Sequence, residues 1–505
     1  MCYTKVMLKL YNTLSRKKEV FKPLKDKKIN LFVCGPTTYD LSHLGHARTY
    51  IVFDMIVRYL RQKEYNVFYL QNITDIDDKI IKRAKEQHAH WRNLSRKFEK
   101  KYFKDMTALN ISSCNKYAPA TKHIKQIISQ VKGLLKKGYA YQIEGGIYYD
   151  ISKFKDYGKL SRRTALQAED AVSRIDEAKE KRNKGDFCLW KKSKPGEPYW
   201  ASPWFLGRPG WHIEDTAITE KYFGPQYDIH GGARDLIFPH HEAEIAQMEA
   251  ISGKKPLVRY WLHTGFLTVK GRKMAKSLGN FITIKDFLKE HPNWLLRFFV
   301  IKTHYRSPID YNEKAILQAK EESERISEFV GKLKDIISPD KPDSKLINNS
   351  KNIRSPSEVK AEMKPKSSST SPPFASLGYL ISETKKSFEK AMEDDFNTPK
   401  AMALIFKLVN RGNVLISEDK IGATNAKEIL DLLEKLEQVL GIGLTKAHYK
   451  ITQNEKLRLK ALIEKREQYR QKAQWKLADK MRKKIKKLGY RIEDTKTGPK
   501  ITNYR

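Results

Sequence analysis

The features that secreted and membrane-bound proteins depend on are scarce in this sequence. Four cysteines occur among 505 residues, Cys2, Cys34, Cys114 and Cys188, widely spaced and with no CxxC pair. That spacing argues against a disulfide framework and a zinc ribbon, and it suits a reducing compartment, the cytoplasm. No stretch approaches the ~20 apolar residues of a membrane-spanning helix. The N-terminus lacks the apolar core of a secretory signal. Its basic beginning, Lys5 to Lys28, leaves a transit peptide as an alternative, although Val6 to Tyr11 reads as a first strand. Acidic residues are also short: 59 Asp and Glu stand against 98 Lys and Arg, a formal charge of +39. Such a field attracts polyanions and makes their association salt-dependent, so nucleic acid leads the partner classes. Solvated faces in a lysine-biased sequence are the competing explanation of the charge alone.

What is present is enough for two to four domains with ample apolar material. Ile29 to Cys34 is a β-rich run that ends in Gly35-Pro36, and Gly45 to Lys63 carries helical apolar spacing. Asn66 to Ile73 reads as a second strand, so the opening is βαβ and predicts a parallel nucleotide-binding sheet with ligands at the strands' C-terminal ends. Helical and hairpin material from Ser95 to Trp204, with a turn at Gly145-Gly146, reads as an insertion. Sheet-like segments return at Tyr227 to Gly231 and Trp261 to Gly271, separated by a helix over His240 to Ser252. Residues 338–376 are rich in Ser, Pro, Lys and Asn and read as a disordered linker. Helices are expected over Leu377 to Glu393, Pro399 to Asn410 and Ala426 to Leu440, followed by one long basic helix from Asn454 to Leu488. No internal repeat is evident.

Two short motifs carry chemistry. His43-Leu44-Gly45-His46 lies where the first strand's loop enters a helix, so two imidazoles and unsatisfied backbone amides converge where a phosphate binds, and Gly45 permits close approach. Alone, this pattern is as readily structural. Lys270-Gly271-Arg272-Lys273-Met274-Ala275-Lys276-Ser277 follows a later strand as a basic loop able to neutralise charge on a reacting triphosphate. Alone, it is equally a solvated charge run.

Together, and in this order across a split sheet, the two resemble the HIGH and KMSKS signatures of class I aminoacyl-tRNA synthetases. The blocks between them narrow the resemblance to the cysteinyl-tRNA synthetase family. These are Phe32-Val33-Cys34-Gly35-Pro36-Thr37, Asn72 to Lys79, Gly210-Trp211-His212-Ile213-Glu214, and Asp228 to Gly232 continuing through Phe238-Pro239-His240-His241-Glu242. The resemblance is dense over residues 7–310 and loose beyond. It implies a Rossmann-type parallel-sheet α/β catalytic domain with a connective insertion, followed by an all-α anticodon-binding bundle. The expected division is 1–94 and 206–310 for the two catalytic halves, 95–205 for the insertion and 311–337 for a linking helix. Residues 338–376 are then the linker, 377–450 the bundle and 451–505 a basic extension.

The resemblance also implies a set of site residues. His43, His46, Lys273 and Lys276 take catalytic roles, with Ser277 shaping the loop. Gly45, His230, Gly231, Gly232, Asp235 and Lys276 contact ATP, and Thr74 and Trp211 wall the amino-acid pocket. Zinc falls to Cys34, Asp215, His240 and Glu244. Asp215 departs from the family, whose commoner residue there is cysteine; carboxylate for thiolate keeps the ligand charge but hardens the site. His240 and Glu244 stand four residues apart, on one helix face.

A metal suits the implied task, because size alone separates cysteine from serine by only ~10 to 200-fold. Zinc binds a thiolate at ~2.3 Å, whereas a serine hydroxyl stays protonated. The implied reaction makes cysteinyl-AMP from L-cysteine and ATP, with magnesium on the pyrophosphate, and passes cysteine to the 3′ end of tRNA(Cys). A monomer is expected. Two alternatives stay open: a same-fold ligase joining cysteine to an amino sugar, and an RNA-binding paralogue without catalysis.

Overall fold

The computed structural model describes residues 7–163, 180–275, 278–338, 377–445, 453–488, 490–495 and 498–503. Lys276, Ser277 and all but the first residue of the expected 338–376 linker lie outside this range, as does Val6 of the expected first strand. The chain divides into two compact units, one holding residues 1–316, 390–399 and 439–441, the other 317–389, 400–438 and 442–505.

The first unit is built on five parallel strands, β1 (Lys28–Val33), β2 (Asn66–Ile73), β3 (Lys116–Pro119), β4 (Tyr227–Ala233) and β5 (Val258–Thr264), in the order β5-β4-β1-β2-β3. Ile29, Leu31, Phe32 and Val33 are fully buried, as expected of a strand covered on both faces. Helix α1 (Leu44–Gln62) crosses from β1 to β2 and buries Ile51, Val52, Met55, Ile56, Tyr59 and Leu60, both of its apolar ridges. The strand order reverses between β1 and β4, which is where a doubly wound sheet opens a crevice for ligands. An antiparallel sheet of four strands, Ala140–Ile143, Gly146–Tyr149, Phe187–Lys192 and Gly207–Pro209, occupies the insertion. Helices α2 (Ile213–Phe223) and α3 (Glu242–Ser252) flank β4 in sequence.

Two segments differ from the sequence expectation here. The single strand foreseen over Trp261 to Gly271 is divided: β5 ends at Thr264, and Leu267–Val269 joins a small sheet with Arg272–Lys273 and Ile309–Tyr311. The break falls at Gly265, where a Cβ would stand 2.4 Å from the Ser307 carbonyl oxygen, so only glycine lets the chain turn there. The regular helix expected from His240 starts at Glu242, because Phe238 is extended (φ −136°, ψ 132°) and interrupts the helical path just before it.

The second unit is helical, with Glu313–Ile337 running into it from the first and Leu377–Glu393, Thr398–Ser417 and Ala423–Leu440 contributing most of their length. Gly412 abuts the Phe329 ring, where a Cβ would lie 2.4 Å from Cζ, so these two helices approach closely. The one long helix expected over Asn454 to Leu488 is instead two, Gln453–Gln471 and Trp475–Lys487, followed by a hairpin of Tyr490–Thr495 and Gly498–Asn503. The chain turns at Ala473, which takes a left-handed φ of 54°. Folding back buries Leu459, Ile485, Tyr490 and Ile492 together and seats Arg466 on Asp494 with two 2.9 Å contacts. Lys480, Arg482, Lys483, Lys484 and Lys486 stay on the exposed face. No helix among the described residues is long and apolar enough to cross a membrane.

Candidate active site and metal centre

His43 is the N-cap of α1. Its Nδ1 accepts the Gly45 N–H at 3.1 Å, while His46 Nδ1 accepts the His43 N–H at 3.2 Å. The two rings stack with centroids 3.8 Å apart. Since each Nδ1 is an acceptor, each ring carries its hydrogen on Nε2, a donor of the kind a phosphate oxygen needs. Burial, and then the neighbouring His43, hold His46 well below the ordinary histidine pKa, so it is neutral at pH 7. Gly45 has a structural reason of its own: a Cβ there would lie 2.8 Å from His43 Cε1.

The basic loop is tied to this cap by backbone. Leu44 N–H donates to the Ile282 carbonyl at 3.1 Å, Ile284 N–H to the Ser42 carbonyl at 2.9 Å, and His43 pairs with Thr283 as a β-bridge. Asn280 clasps the loop from inside, its Oδ1 accepting from Ala275 N at 2.9 Å and its Nδ2 donating to the Lys273 carbonyl at 3.1 Å. Lys273 itself is exposed, and Lys276 lies outside the described residues.

At the C-terminal end of β1, Cys34 meets residues from three other elements. Cys34, Asp215, His240 and Glu244 present donor atoms all within 4.8 Å of one another, and all four are buried. Asp215 and Glu244 each stand in the first turn of a helix, where the macrodipole favours negative charge. Asp215 Oδ2 lies 2.9 Å from His240 Nε2 and 3.4 Å from Cys34 Sγ. Asp215 Oδ1 and both carboxylate oxygens of Glu244 are buried and make no hydrogen bond. Burial first, then Asp215 and Glu244, push the Cys34 thiol well above its usual pKa, and burial with Asp215 and Glu214 does the same to Glu244. Buried acidic donors without hydrogen-bond donors are costly unless a cation faces them. These residues therefore fit a divalent metal.

Thr74 and Trp211 border the group. Thr74 Oγ1 donates to Glu214, the residue beside Asp215, and the Trp211 ring stacks on His240 at 4.4 Å. His230, expected beside ATP, is instead enclosed: Tyr227 Oη lies 2.7 Å from its Nδ1, Cys34 Sγ 3.5 Å from its Nε2, and the Trp261 ring is stacked on it at 4.3 Å. Strand alternation explains this, since the neighbouring Gly231 faces α1, where a Cβ would meet the Phe53 ring at 2.3 Å. At Gly232 a Cβ would meet His241 Cε1 at 2.7 Å, so both glycines make room for protein side chains. Asp235 is exposed on the turn Arg234–Leu236.

Three histidines escaped the sequence reading as site residues. His241 Nε2 lies 3.1 Å from Cys34 Sγ, its Nδ1 2.8 Å from His263 Nε2, and His263 Nδ1 2.8 Å from Thr13 Oγ1. His212 Nδ1 lies 2.8 Å from His240 Nδ1. His230 and His241 also form, with Cys34 and Glu244, a second group of possible ligands. The runs Trp211-His212 and His240-His241 signalled two of the three; His263, inside an ordinary strand pattern, gave no signal.

Comparison with known proteins finds relatives over nearly the whole chain. Residues 20–321 match the family described as tRNA synthetases class I (C) catalytic domain, and residues 387–445 match the DALR domain. A protein of Thermococcus gammatolerans named cysteine--tRNA ligase is 44% identical over 97% of this chain and 98% of its own. Another of that name from Carboxydothermus hydrogenoformans is 43% identical over 97% and 99%. Among solved structures, Mycobacterium tuberculosis methionyl-tRNA synthetase in complex with methionyl-adenylate superposes with a TM-score of 0.57 at 16% identity, covering 83% of this chain and 88% of that one, a likeness of fold. The chain belongs to the cysteine-tRNA ligase family of class I aminoacyl-tRNA synthetases.

Proposed function

We propose that the chain activates L-cysteine with ATP and transfers it to tRNA(Cys), as a cytoplasmic monomer. In the first step a carboxylate oxygen of cysteine attacks the α-phosphorus of ATP and pyrophosphate leaves with its magnesium. In the second, a terminal ribose hydroxyl of the tRNA attacks the activated carbonyl and AMP leaves. The observation that carries the reading is the juxtaposition of the four buried donors Cys34, Asp215, His240 and Glu244 with Thr74 and Trp211 at their rim. The described cysteines Cys34, Cys114 and Cys188 are thiols rather than disulfides, which suits a reducing cytoplasm.

The residues of the chain have separable tasks. His43 and His46 donate from Nε2 to phosphate oxygens, aided by the amides at the start of α1, and Lys273 and Lys276 offset charge developing on the leaving pyrophosphate. Gly45, Gly231, Gly232 and Asp235 border the nucleotide, while the side chain of His230 supports Cys34. Thr74 and Trp211 hold the amino acid against the metal group. Cys34, Asp215, His240 and Glu244 would hold zinc, whose chemistry is to take the substrate sulfur as a thiolate in preference to a protonated hydroxyl. Positioning and fixed charge supply the catalysis, since no covalent enzyme intermediate is required.

The domain roles are part of the same proposal: residues 1–94 and 206–310 for catalysis, 95–205 as connective insertion, 311–337 as linking helix, 377–450 for the anticodon and 451–505 as a basic extension. The helices beyond 377 are what a small-molecule ligase would not need. Charging of a tRNA(Cys) transcript with radiolabelled cysteine tests the whole. A chain that exchanges pyrophosphate but charges no tRNA favours the amino-sugar alternative, and one that binds tRNA without any exchange favours the non-catalytic one.

A further inference from the structure

The donors Cys34, Asp215, His240 and Glu244 comprise one sulfur, one nitrogen and two carboxylates. Asp215 is completely enclosed, at 0% exposure, with Oδ1 unbonded and Oδ2 turned toward both His240 and Cys34. Glu244 is equally enclosed, and neither of its oxygens accepts a hydrogen bond. In the second possible group His230 and His241 replace Asp215 and His240. Nδ1 of His230 and Nδ1 of His241 are held by Tyr227 Oη at 2.7 Å and His263 Nε2 at 2.8 Å, as His240 Nδ1 is held by His212 Nδ1 at 2.8 Å, so each ring presents Nε2. Their Nε2 atoms face Cys34 Sγ itself, at 3.5 and 3.1 Å. Glu244 serves both groups, so it is the unbonded Oδ1 of the buried Asp215 that marks the Asp215 side of Cys34 as the place for a cation. One thiolate among two carboxylates and an imidazole is a harder donor set than one with two thiolates, and hardness of the donors governs which divalent ions a site retains.

We infer that this is a one-sulfur metal site that takes manganese, ferrous iron or cobalt as well as zinc, and whose discrimination between a thiol and a hydroxyl substrate depends on the ion it carries. The inference rests on the metal reading of the previous section and goes beyond it in the ions accepted and in the consequence for substrate choice. With Asp215 in place, the chain supplies a single soft donor, and a substrate thiol would be the second. A thiol matches zinc or cobalt in that role. Manganese prefers oxygen, so a manganese-loaded site separates L-cysteine from L-serine less sharply.

Metal-stripped full-length protein is loaded with Co2+ and its near-ultraviolet sulfur-to-cobalt absorption recorded; competition between Zn2+ and Mn2+ is read as metal content after dialysis. The wild type is expected to show a single-thiolate band that about doubles with L-cysteine and does not move with L-serine. Asp215→Cys is expected to show the doubled band before any substrate and to favour Zn2+ over Mn2+ by about tenfold more than the wild type. A doubled band in the wild type without substrate, or Mn2+ excluded as strongly as in Asp215→Cys, overturns the inference. So does metal content that survives Asp215→Asn but is lost in His241→Asn. The wild-type spectrum and dialysis decide the matter alone if Asp215→Cys does not fold. Failure to take up any divalent ion contradicts the metal reading itself, whereas stoichiometric uptake with the wrong sulfur count contradicts only the one-sulfur assignment.

Discussion

His43 and Thr283 pair across 240 residues of sequence as a β-bridge, and the flanking Leu44 N–H reaches the Ile282 carbonyl at 3.1 Å. The cap of α1 and the exit of the basic loop are thus one piece of backbone. The cap residue His43 and the strand residue Lys273, bonded through Asn280, therefore share a frame.

Asn280 completes that frame by bonding both Ala275 N–H and the Lys273 carbonyl. Asn280→Ala should loosen the loop without opening the core. The expected result is a rise of about tenfold in KM for ATP in pyrophosphate exchange, with KM for cysteine nearly unchanged. Equal changes in both constants would show that the clasp acts on the whole pocket.

His46 accepts the cap bond from His43 N–H, and substitution separates this from the phosphate contact proposed for its Nε2. Asn at this position retains an acceptor near Nδ1 for the His43 N–H but removes the Nε2 donor. His46→Asn is expected to lower exchange by about 100-fold at near wild-type thermal stability. His46→Ala should add a loss of about 1 kcal/mol in unfolding free energy from the missing cap bond. Because burial and His43 hold the His46 pKa well down, its charge state should contribute no inflection to the rate between pH 6 and 8.

A buried ion pair ties α1 to the helix Asn293–Ile301: Arg297 Nη2 lies 2.6 Å from Asp54 Oδ2, and Arg58 Nε is 2.7 Å from the same oxygen. Burial alone would raise the Asp54 pKa, but Arg297 and then Arg58, with Ser113 and Ser112, outweigh it and hold the carboxyl below its ordinary value. A depressed folded-state pKa adds stability above the unfolded value of about 4, and that stability is lost as pH falls through the folded one. Asp54→Asn is expected to cost about 3 kcal/mol at pH 7, and the gap to wild type should shrink in acid. Denaturant melts at pH 7 and pH 3 check both parts.

The parts of this fold that were legible in sequence are those whose periodicity is local. Ile29 to Cys34 and Asn66 to Ile73 read as strands and Gly45 to Lys63 as a helix because apolar spacing and flanking Gly-Pro signals agreed. Gly265 was itself the signal of the break, but strand-forming residues on both sides of it masked that signal, and the cause, the Ser307 and Arg306 carbonyls, lies about 40 residues away. The turn at Ala473 was equally silent, because a non-glycine residue takes the left-handed conformation there with no proline or glycine to mark it. Cys34, Asp215, His240 and Glu244 were assembled only through family resemblance. Spacing alone supports His240 with Glu244, and nothing in the sequence brings Cys34 to Asp215. The placement of His230 depended on which face of β4 its number falls on, a matter of register that composition does not encode.

The most direct test of the account is ATP-pyrophosphate exchange with L-cysteine and with L-serine, before and after chelation verified to remove all metal, then after zinc is restored, in wild type and Asp215→Ala. Exchange specific for cysteine, lost on stripping, regained with zinc and absent from the variant is the predicted result. Full cysteine-specific exchange by a metal-free chain would contradict it.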